Sequence, residues 1–286
     1  MRITDCKYVK AQLPVIPEAA NKFTRGRLLL ITGSYGMAGA AIMAVRAALR
    51  TGAGYTDLAI PAALYPVAAA AVPESVITVY DPADAMEMRK QLLTAMEKAD
   101  AVVMGCGLGK LRDLVCPPIL EFCDKKLVLD ADALNMMSQT GLRPWWRSKA
   151  VITPHEGEMA RLLETTSASI REDREGSLKK AVSDLSMAVL LKGPGTLIAS
   201  PFTDEIFRNP TGNAGMARAG SGDVLSGMIG ALAAQGMDVF EAAVCGAYLH
   251  GLAGDIAAER FGIRSMLPTD LIECIPDALK NVEKNG

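Results

Sequence analysis

The chain has 286 residues, 50% of them hydrophobic, with a formal charge of −2 and 5% aromatics. That length fits one large α/β domain over residues 1–286 better than two small ones. Without a basic excess or a lysine or arginine block it has no signature of a nucleic-acid or anionic-membrane partner, and so few aromatics argue against base-stacking platforms.

In chain order, the N-terminal "MRITDCKYVKAQLP" carries scattered charges and no apolar h-region, so it is not read as a secretory signal. "RLLLITG" (27–33) reads as a buried strand, "AGAAIMAVRAALR" (38–50) as a helix and "YTDLAI" (55–60) as the next strand. "SVITVY" (75–80), "AVVMG" (101–105), "KLVLD" (126–130) and "AVIT" (150–153) follow as strands, with helices near 62–72, 84–98 and 155–164. Continuous apolar strands separated by helices predict a mostly parallel sheet covered on both faces. The pattern then changes. "MAVLLKGPGTLIAS" (187–200) reads as two strands joined by Gly193-Pro194-Gly195, "EIFRN" (205–209) as a third, and 223–235 and 238–260 as helices. "SIREDREGSLKK" (169–180) is expected to be a solvated helix face. The longest apolar stretch, around "AALYPVAAAAVP", is too short to span a bilayer. Six cysteines without a C-x-x-C pair predict buried, reduced thiols and a cytoplasmic protein, and two histidines with no cysteine pair beside them exclude a structural zinc site.

Asp223 stands between the glycine-rich "AGSG" (219–222) and a helical run with Gly236 as its stop. A helix beginning there aims free N–H groups and the positive dipole end at Gly220, Ser221 and Gly222, an arrangement suited to a phosphate. The competing reading is that Asp223 merely caps the helix. "LLKGPGT" (190–196) is either an ordinary hairpin turn or a phosphate grip made of Lys192 and backbone amides; it is not a Walker A loop. "TGSYGMAGAAIMAVRAALRTGAG" (32–54) opens like a mononucleotide fold but lacks G-x-G-x-x-G. Asp130 and Asp132 end a strand, where they either meet substrate or magnesium or cap a loop. His155 follows Thr-Pro at another strand end, and His250 reads as structural. The small residues Gly227, Ala231, Ala234, Ala242 and Gly246 serve either the core or a subunit interface.

The strings "GSYGMAGAAIMAVRAALRTGAG", "GCGLG", "LVLDADALN", "VITPHEGEMARL", "LKGPGT" and "GNAGMARAGSGDVLSG" together resemble the ATP/ADP-dependent NAD(P)H-hydrate dehydratase family, over roughly residues 25–280. The resemblance implies a ribokinase-like three-layer αβα sandwich. It also implies nucleotide-driven removal of water from the S epimer of NADH or NADPH hydrate, through phosphorylation of the hydrate hydroxyl and loss of phosphate. By resemblance, Lys192, Gly193, Pro194, Gly195, Thr196 and Gly222 bind the phosphates of ADP or ATP, and Asp223 takes the hydroxyl proton. Ala40, Gly107 and His155 contact the hydrate, Asn135 lies nearby, Mg2+ accompanies the nucleotide with ligands unassigned, and the assembly is a homotetramer. The family's usual G-G-T-G-D core is here Ala219-Gly220-Ser221-Gly222-Asp223, and Cys106 stands where proline is common. Nothing in the first 25 residues resembles the epimerase domain often fused to this one. The rival readings are a vitamin-precursor kinase of the same fold, such as a hydroxyethylthiazole kinase, and a non-catalytic nucleotide-binding regulator.

Overall fold

The computed structural model describes residues 1–145 and 147–286. The strands are β1 (Arg2–Ile3), β2 (Arg27–Ile31), β3 (Tyr55–Pro61), β4 (Val76–Tyr80), β5 (Ala101–Met104), β6 (Lys126–Leu129), β7 (Ala150–Ile152), β8 (Ala188–Leu191), β9 (Leu197–Ala199) and β10 (Phe207–Arg208). They form one sheet in the order β1-β10-β9-β8-β7-β6-β5-β2-β3-β4, in which β9 alone runs against the rest. Leu28 and Leu30 of β2 face one core and Leu29 and Ile31 the other, the alternation of a strand covered on both sides. The first face carries α1 (Cys6–Gln12), α2 (Ala38–Thr51) and α3 (Tyr65–Ala71). The second carries α4 (Ala85–Glu97), α5 (Arg112–Phe122), α6 (Asp132–Thr140), α7 (Glu156–Leu162), α8 (Ser167–Glu172) and α9 (Arg174–Leu185). The chain returns to the first face with α10 (Ser221–Ala234), α11 (Val239–Phe261) and α12 (Pro268–Asn285). This is the expected three-layer αβα sandwich.

The expected strands are present, mostly one or two residues shorter than read. The N-terminal β1 was not expected: two residues carry no periodicity, and Arg2–Ile3 becomes a strand only by pairing with Phe207–Arg208. Helices α1, α5, α6 and α12 also went unread. Pro117 and Pro118 interrupt the α5 pattern and Pro276 that of α12. The small residues of the late helices serve the core. A side chain at Gly227 would put its Cβ 2.1 Å from the Ala44 carbonyl oxygen, and one at Gly246 would meet Ile229 at 2.7 Å, so α10 packs backbone-close on α2 and α11.

From β2 the chain moves outward to β3 and β4, then returns to β5 on the other side and continues through β6, β7 and β8. In a parallel sheet, that reversal opens a crevice beyond the carboxyl ends of the strands. The loops after β2 and β5 meet there, with the Gly33 amide donating to the Cys106 carbonyl at 2.8 Å.

Candidate active site

Helix α10 points its N-terminus at this crevice. It begins at Ser221, two residues earlier than its apolar spacing indicates, with Gly220 as N-cap at φ 103°, ψ −24° and no side-chain cap bond. Glycine is the residue that takes this left-handed backbone without cost. Among the described residues, the amides of Gly222 and Asp223 have no hydrogen-bond partner. The capping reading of Asp223 therefore fails: its carboxylate is free of cap duty and sits half-buried in the cleft. Burial, and then the charge of Asp130, push its pKa up to about 6, against the opposing effects of the Cys106 thiol and Lys192. His250, buried in α11, lies 2.9 Å through Nε2 from the Ser221 carbonyl oxygen. Burial pulls its pKa down to about 4, so near neutral pH Nε2–H donates to that carbonyl and holds the end of α10 in place. This agrees with its structural reading.

Lys192, at the end of β8, turns toward the same end of α10. Its Nζ is 2.7 Å from Asp130 Oδ1 and 3.6 Å from Glu158 Oε2. Burial works against its charge, but the two carboxylates outweigh it and push the pKa up to about 12. The same Nζ lies 3.5 Å from the point a Cβ on Gly222 would occupy. Lys192 and the Gly222 gap thus face one space, next to two unpaired amides. Beyond Lys192 the chain forms a hairpin in which the Thr196 hydroxyl donates to the Gly193 carbonyl at 3.0 Å, so the turn is an ordinary one in local structure. Gly193 and Gly195 take φ 139° and 61°, and guanidinium groups flank them: Arg174 over Gly193 and Arg208 over Gly195. Pro194 is exposed at the tip. Arg174 corrects the expectation that residues 169–180 form a solvated face. It pairs with Glu156 at 3.0 Å and donates to the Leu191 and Lys192 carbonyls at 3.2 and 3.3 Å.

Besides Asp223, four positions were expected at the substrate, and of these Ala40 and Gly107 come together. A Cβ on Gly107, at φ 63°, would sit 2.8 Å from the Ala40 Cβ. The loops after β2 and β5 border a cavity of about 600 Å³ lined in part by Ser34, Met37, Leu108 and Gly109. His155 is the N-cap of α7. Its Nδ1 accepts from the Gly157 amide at 2.9 Å, while Glu158 reaches back to the His155 amide at 2.8 Å, forming a capping box. Its ring stays 55% exposed, and Glu158 links it to Lys192. Asn135 belongs to a separate network, accepting from Arg161 at 2.9 Å and donating to Asp132 at 3.4 Å. Asp132 is held by the Gly109 amide at 2.7 Å and by Arg112 at 3.3 Å, which is the loop-capping reading.

The sequence named Asp130 as a candidate, for substrate or magnesium or as a loop cap, but not the partners that make it the centre of the cluster. Asp130, 2% exposed, accepts from Lys192 and, at 2.8 Å, from the hydroxyl of Ser226. Cys106 completes it. Its buried thiol is 3.9 Å from Asp130 Oδ2, and burial raises its pKa well above the ordinary thiol value. Glycine, aspartate and lysine at strand ends were the signal for Asp130 and Lys192; nothing local marks Ser226, which reads as one more small helix residue. Cys106, Asp130 and Asp223 bring three possible metal-ligand atoms within 4.8 Å of one another. They fit Mg2+ poorly, because that ion requires hard oxygen donors while a protonated thiol is soft and both Asp130 oxygens are engaged.

The family model for NAD(P)H-hydrate dehydratase, Carb_kinase, matches residues 28–277. The ADP-dependent (S)-NAD(P)H-hydrate dehydratase of Neisseria meningitidis serogroup B is 42% identical over 261 residues, covering 87% of this chain and 83% of that protein. The bifunctional NAD(P)H-hydrate repair enzyme Nnr of Moorella thermoacetica is 40% identical over 292 residues; the match covers 99% of this chain but 54% of that enzyme, so the chain spans about half its length. Among solved structures, the ADP/ATP-dependent NAD(P)H-hydrate dehydratase of Bacillus subtilis, co-crystallized with ATP/Mg2+, superposes with a TM-score of 0.81 at 26% identity, covering 99% of both chains. The fold is ribokinase-like.

Proposed function

The chain belongs to the NAD(P)H-hydrate dehydratase family, and from that premise we propose that it removes water from the S epimer of NADH hydrate or NADPH hydrate, regenerating NAD(P)H at the expense of ADP or ATP. One observation carries this reading: Asp223, free of cap duty, stands beside an open helix N-terminus that shares its space with Lys192.

The nucleotide's terminal phosphate sits at the Gly220–Gly222 turn, where the Gly222 and Asp223 amides, the dipole of α10 and the Lys192 ammonium stabilise its charge. The hairpin Gly193–Thr196 holds the rest of the phosphate chain. The hydrate lies between Ala40, Gly107 and His155, with its hydroxyl on Asp223. Asp223 accepts the hydroxyl proton as the oxygen attacks the terminal phosphorus, whose bond to the bridging oxygen breaks and releases AMP from ADP, or ADP from ATP. A base whose pKa is about 6 is ionised near neutrality yet still basic enough to help. The C–O bond then breaks, phosphate leaves with the electron pair, and the ring nitrogen supplies the push. Loss of a proton from the adjacent carbon restores the ring double bond. In phosphoryl transfer most of the protein's contribution is positioning and charge neutralisation, which this cluster supplies. Because the cluster suits Mg2+ poorly, these residues are assigned no ion; Mg2+ arriving with the nucleotide would supply neutralisation of phosphate charge.

Asn135 acts at one remove, by steadying Asp132 and Arg161 at the cleft rim. Residues 1–286 make one dehydratase domain, which works as a cytoplasmic homotetramer; light scattering on the purified protein tests the assembly. No helix of the described residues is long and apolar enough to cross a membrane. The deciding assay mixes the protein with NADH hydrate or NADPH hydrate and either ADP or ATP, and follows the absorbance of reformed dihydronicotinamide. Growth of that absorbance only with nucleotide present is the expected result. Its absence, with phosphorylation of hydroxyethylthiazole instead, would move the chain to the kinases of this fold.

A further inference from the structure

Asp130 is almost sealed from solvent, yet three elements converge on its carboxylate. Lys192 reaches it at 2.7 Å from the end of β8, Ser226 at 2.8 Å from the second turn of α10, and the Cys106 thiol at 3.9 Å from the loop after β5. The backbone beneath is equally constrained. Ala131 adopts φ 49°, ψ −112°, a conformation that alanine takes only when its surroundings impose it. Gly105 opposite has φ 126°, and a Cβ there would lie 1.8 Å from the Asp130 carbonyl oxygen. A buried ion pair adds little net stability over apolar packing of the same volume. Stability therefore does not account for a charge tied from three sides and seated on a strained turn.

What the ties accomplish is geometric. Ser226 follows Asp223 by three residues, so gripping its hydroxyl fixes the turn of α10 that bears the base. Gripping Lys192 keeps its ammonium over the Gly222 gap instead of sweeping through the cleft. We propose that Asp130 is a positioning residue for the proposed dehydration: it locks Lys192 and the base-bearing turn of α10 into one rigid unit and sets a second negative charge behind Asp223. That charge is the main electrostatic influence, after burial, that keeps Asp223 a better proton acceptor than an exposed aspartate. The inference rests on the dehydratase reading for its catalytic consequence, but its structural part stands apart from turnover.

The test replaces the charge without changing the shape. In Asp130→Asn, Lys192 loses its nearest anchor, and the KM for the nucleotide should rise about tenfold, the scale of one charge-assisted hydrogen bond. The acidic limb of kcat/KM for the hydrate should move to lower pH by about one pH unit, because Asp223 no longer faces a like charge. Carbon-13 NMR of aspartate-labelled protein follows the Asp223 carboxyl directly, without substrate, and should show the same downward move. If Asp130→Asn does not fold, the double variant Asp130→Asn/Lys192→Gln strands neither charge; because losing Lys192 pushes the Asp223 titration up, it is compared with Lys192→Gln alone, against which the same downward move is expected. An unmoved Asp223 titration in whichever variant folds overturns the proposal. So does a failure of both variants to fold, which would make Asp130 a structural residue only. Absence of hydrate turnover in the unmodified protein would defeat the dehydratase reading while leaving the NMR outcome to judge Asp130.

Discussion

Two helix N-termini flank Lys192, and they are built from nearly the same plan. Helix α7 opens with His155-Glu156-Gly157-Glu158 and helix α10 with Gly220-Ser221-Gly222-Asp223; each has glycine at the second helical position and an acid at the third. At α7 the plan closes on itself. His155 accepts from the Gly157 and Glu158 amides and Glu158 folds back to the His155 amide, so the two first-turn amides left open at α10 are taken here. At α10 the N-cap has no side chain, Asp223 does not fold back, and the amides of Gly222 and Asp223 stay free. The contrast teaches that an acid in a first turn is a cap or a reagent according to what its N-cap residue can accept. Lys192 serves both ends: its Nζ is 3.6 Å from Glu158 on one side and, on the other, 3.5 Å from the point a Cβ on Gly222 would occupy.

The most severe way to break the contrast is to remove the group the two ends share. Lys192→Ala strands the buried Asp130 carboxylate, so it should cost about 3–5 kcal/mol in denaturant unfolding and weaken nucleotide binding as well. Unchanged nucleotide affinity in calorimetry would refute its place at the phosphate.

Removing the reagent alone is gentler on the fold. Asp223→Asn should lower the turnover rate by roughly 10²-fold or more while nucleotide binding persists, the scale of a lost general base. The sign of its stability effect follows from the pKa. Asp223 is raised in the folded state from 3.8 to about 6, so the folded protein favours its neutral form, and stability from this group declines as pH rises through 6. The asparagine variant should therefore melt no lower than the parent at pH 7.5. A clear drop in Tm there would mean that the carboxylate has a structural partner. For the parent enzyme the same value places the acidic limb of the rate profile near pH 6, with activity lost below it.

Filling the gap at α10 makes it more like a plain helix end. In Gly222→Ala, the new methyl would lie 3.5 Å from Lys192 Nζ and 3.7 Å from Asp130 Oδ2, ordinary contact distances, so the Tm should hold. The methyl would occupy the approach to the free amides, and the KM for nucleotide should climb about tenfold. An unaltered KM would place the phosphate elsewhere. The smallest effect is expected from opening the closed end. His155→Ala should cost about 1 kcal/mol of stability, the usual loss for a cap, and raise the KM for the hydrate more than that for the nucleotide. Equal effects on both would take His155 out of the substrate pocket.

How far these ends were legible in the sequence differs between them. The strand–glycine–helix strings located both, and the apolar runs placed the strands beneath them to within a residue or two. The start of α10 read two residues late because Gly220, Ser221 and Gly222 have the composition of a loop, and only the hydrogen bond from the Val224 amide to the Gly220 carbonyl shows them in the helix. His155 read as the start of the helix near 155–164 and not as its cap, since histidine is an uncommon cap, although Glu158 three residues on was the visible half of a capping box. Arg174 read as solvated because charge patterning marks a polar face without saying which charge finds a buried partner.

The sequence by itself determined the layered α/β plan, the order of its strand-end loops and the likeness to a dehydratase family, because strand alternation, helical spacing and glycine turns are local properties written over a few residues. It also singled out Asp223. Only the tertiary structure decided what surrounds that carboxylate. Asp130 meets Lys192 across 62 positions and Ser226 across 96, and such meetings depend on how crossovers return the chain to one crevice. Whether a charge ends as a cap, a counter-ion or a base is settled by those distant neighbours and by burial, and neither is encoded in any short stretch.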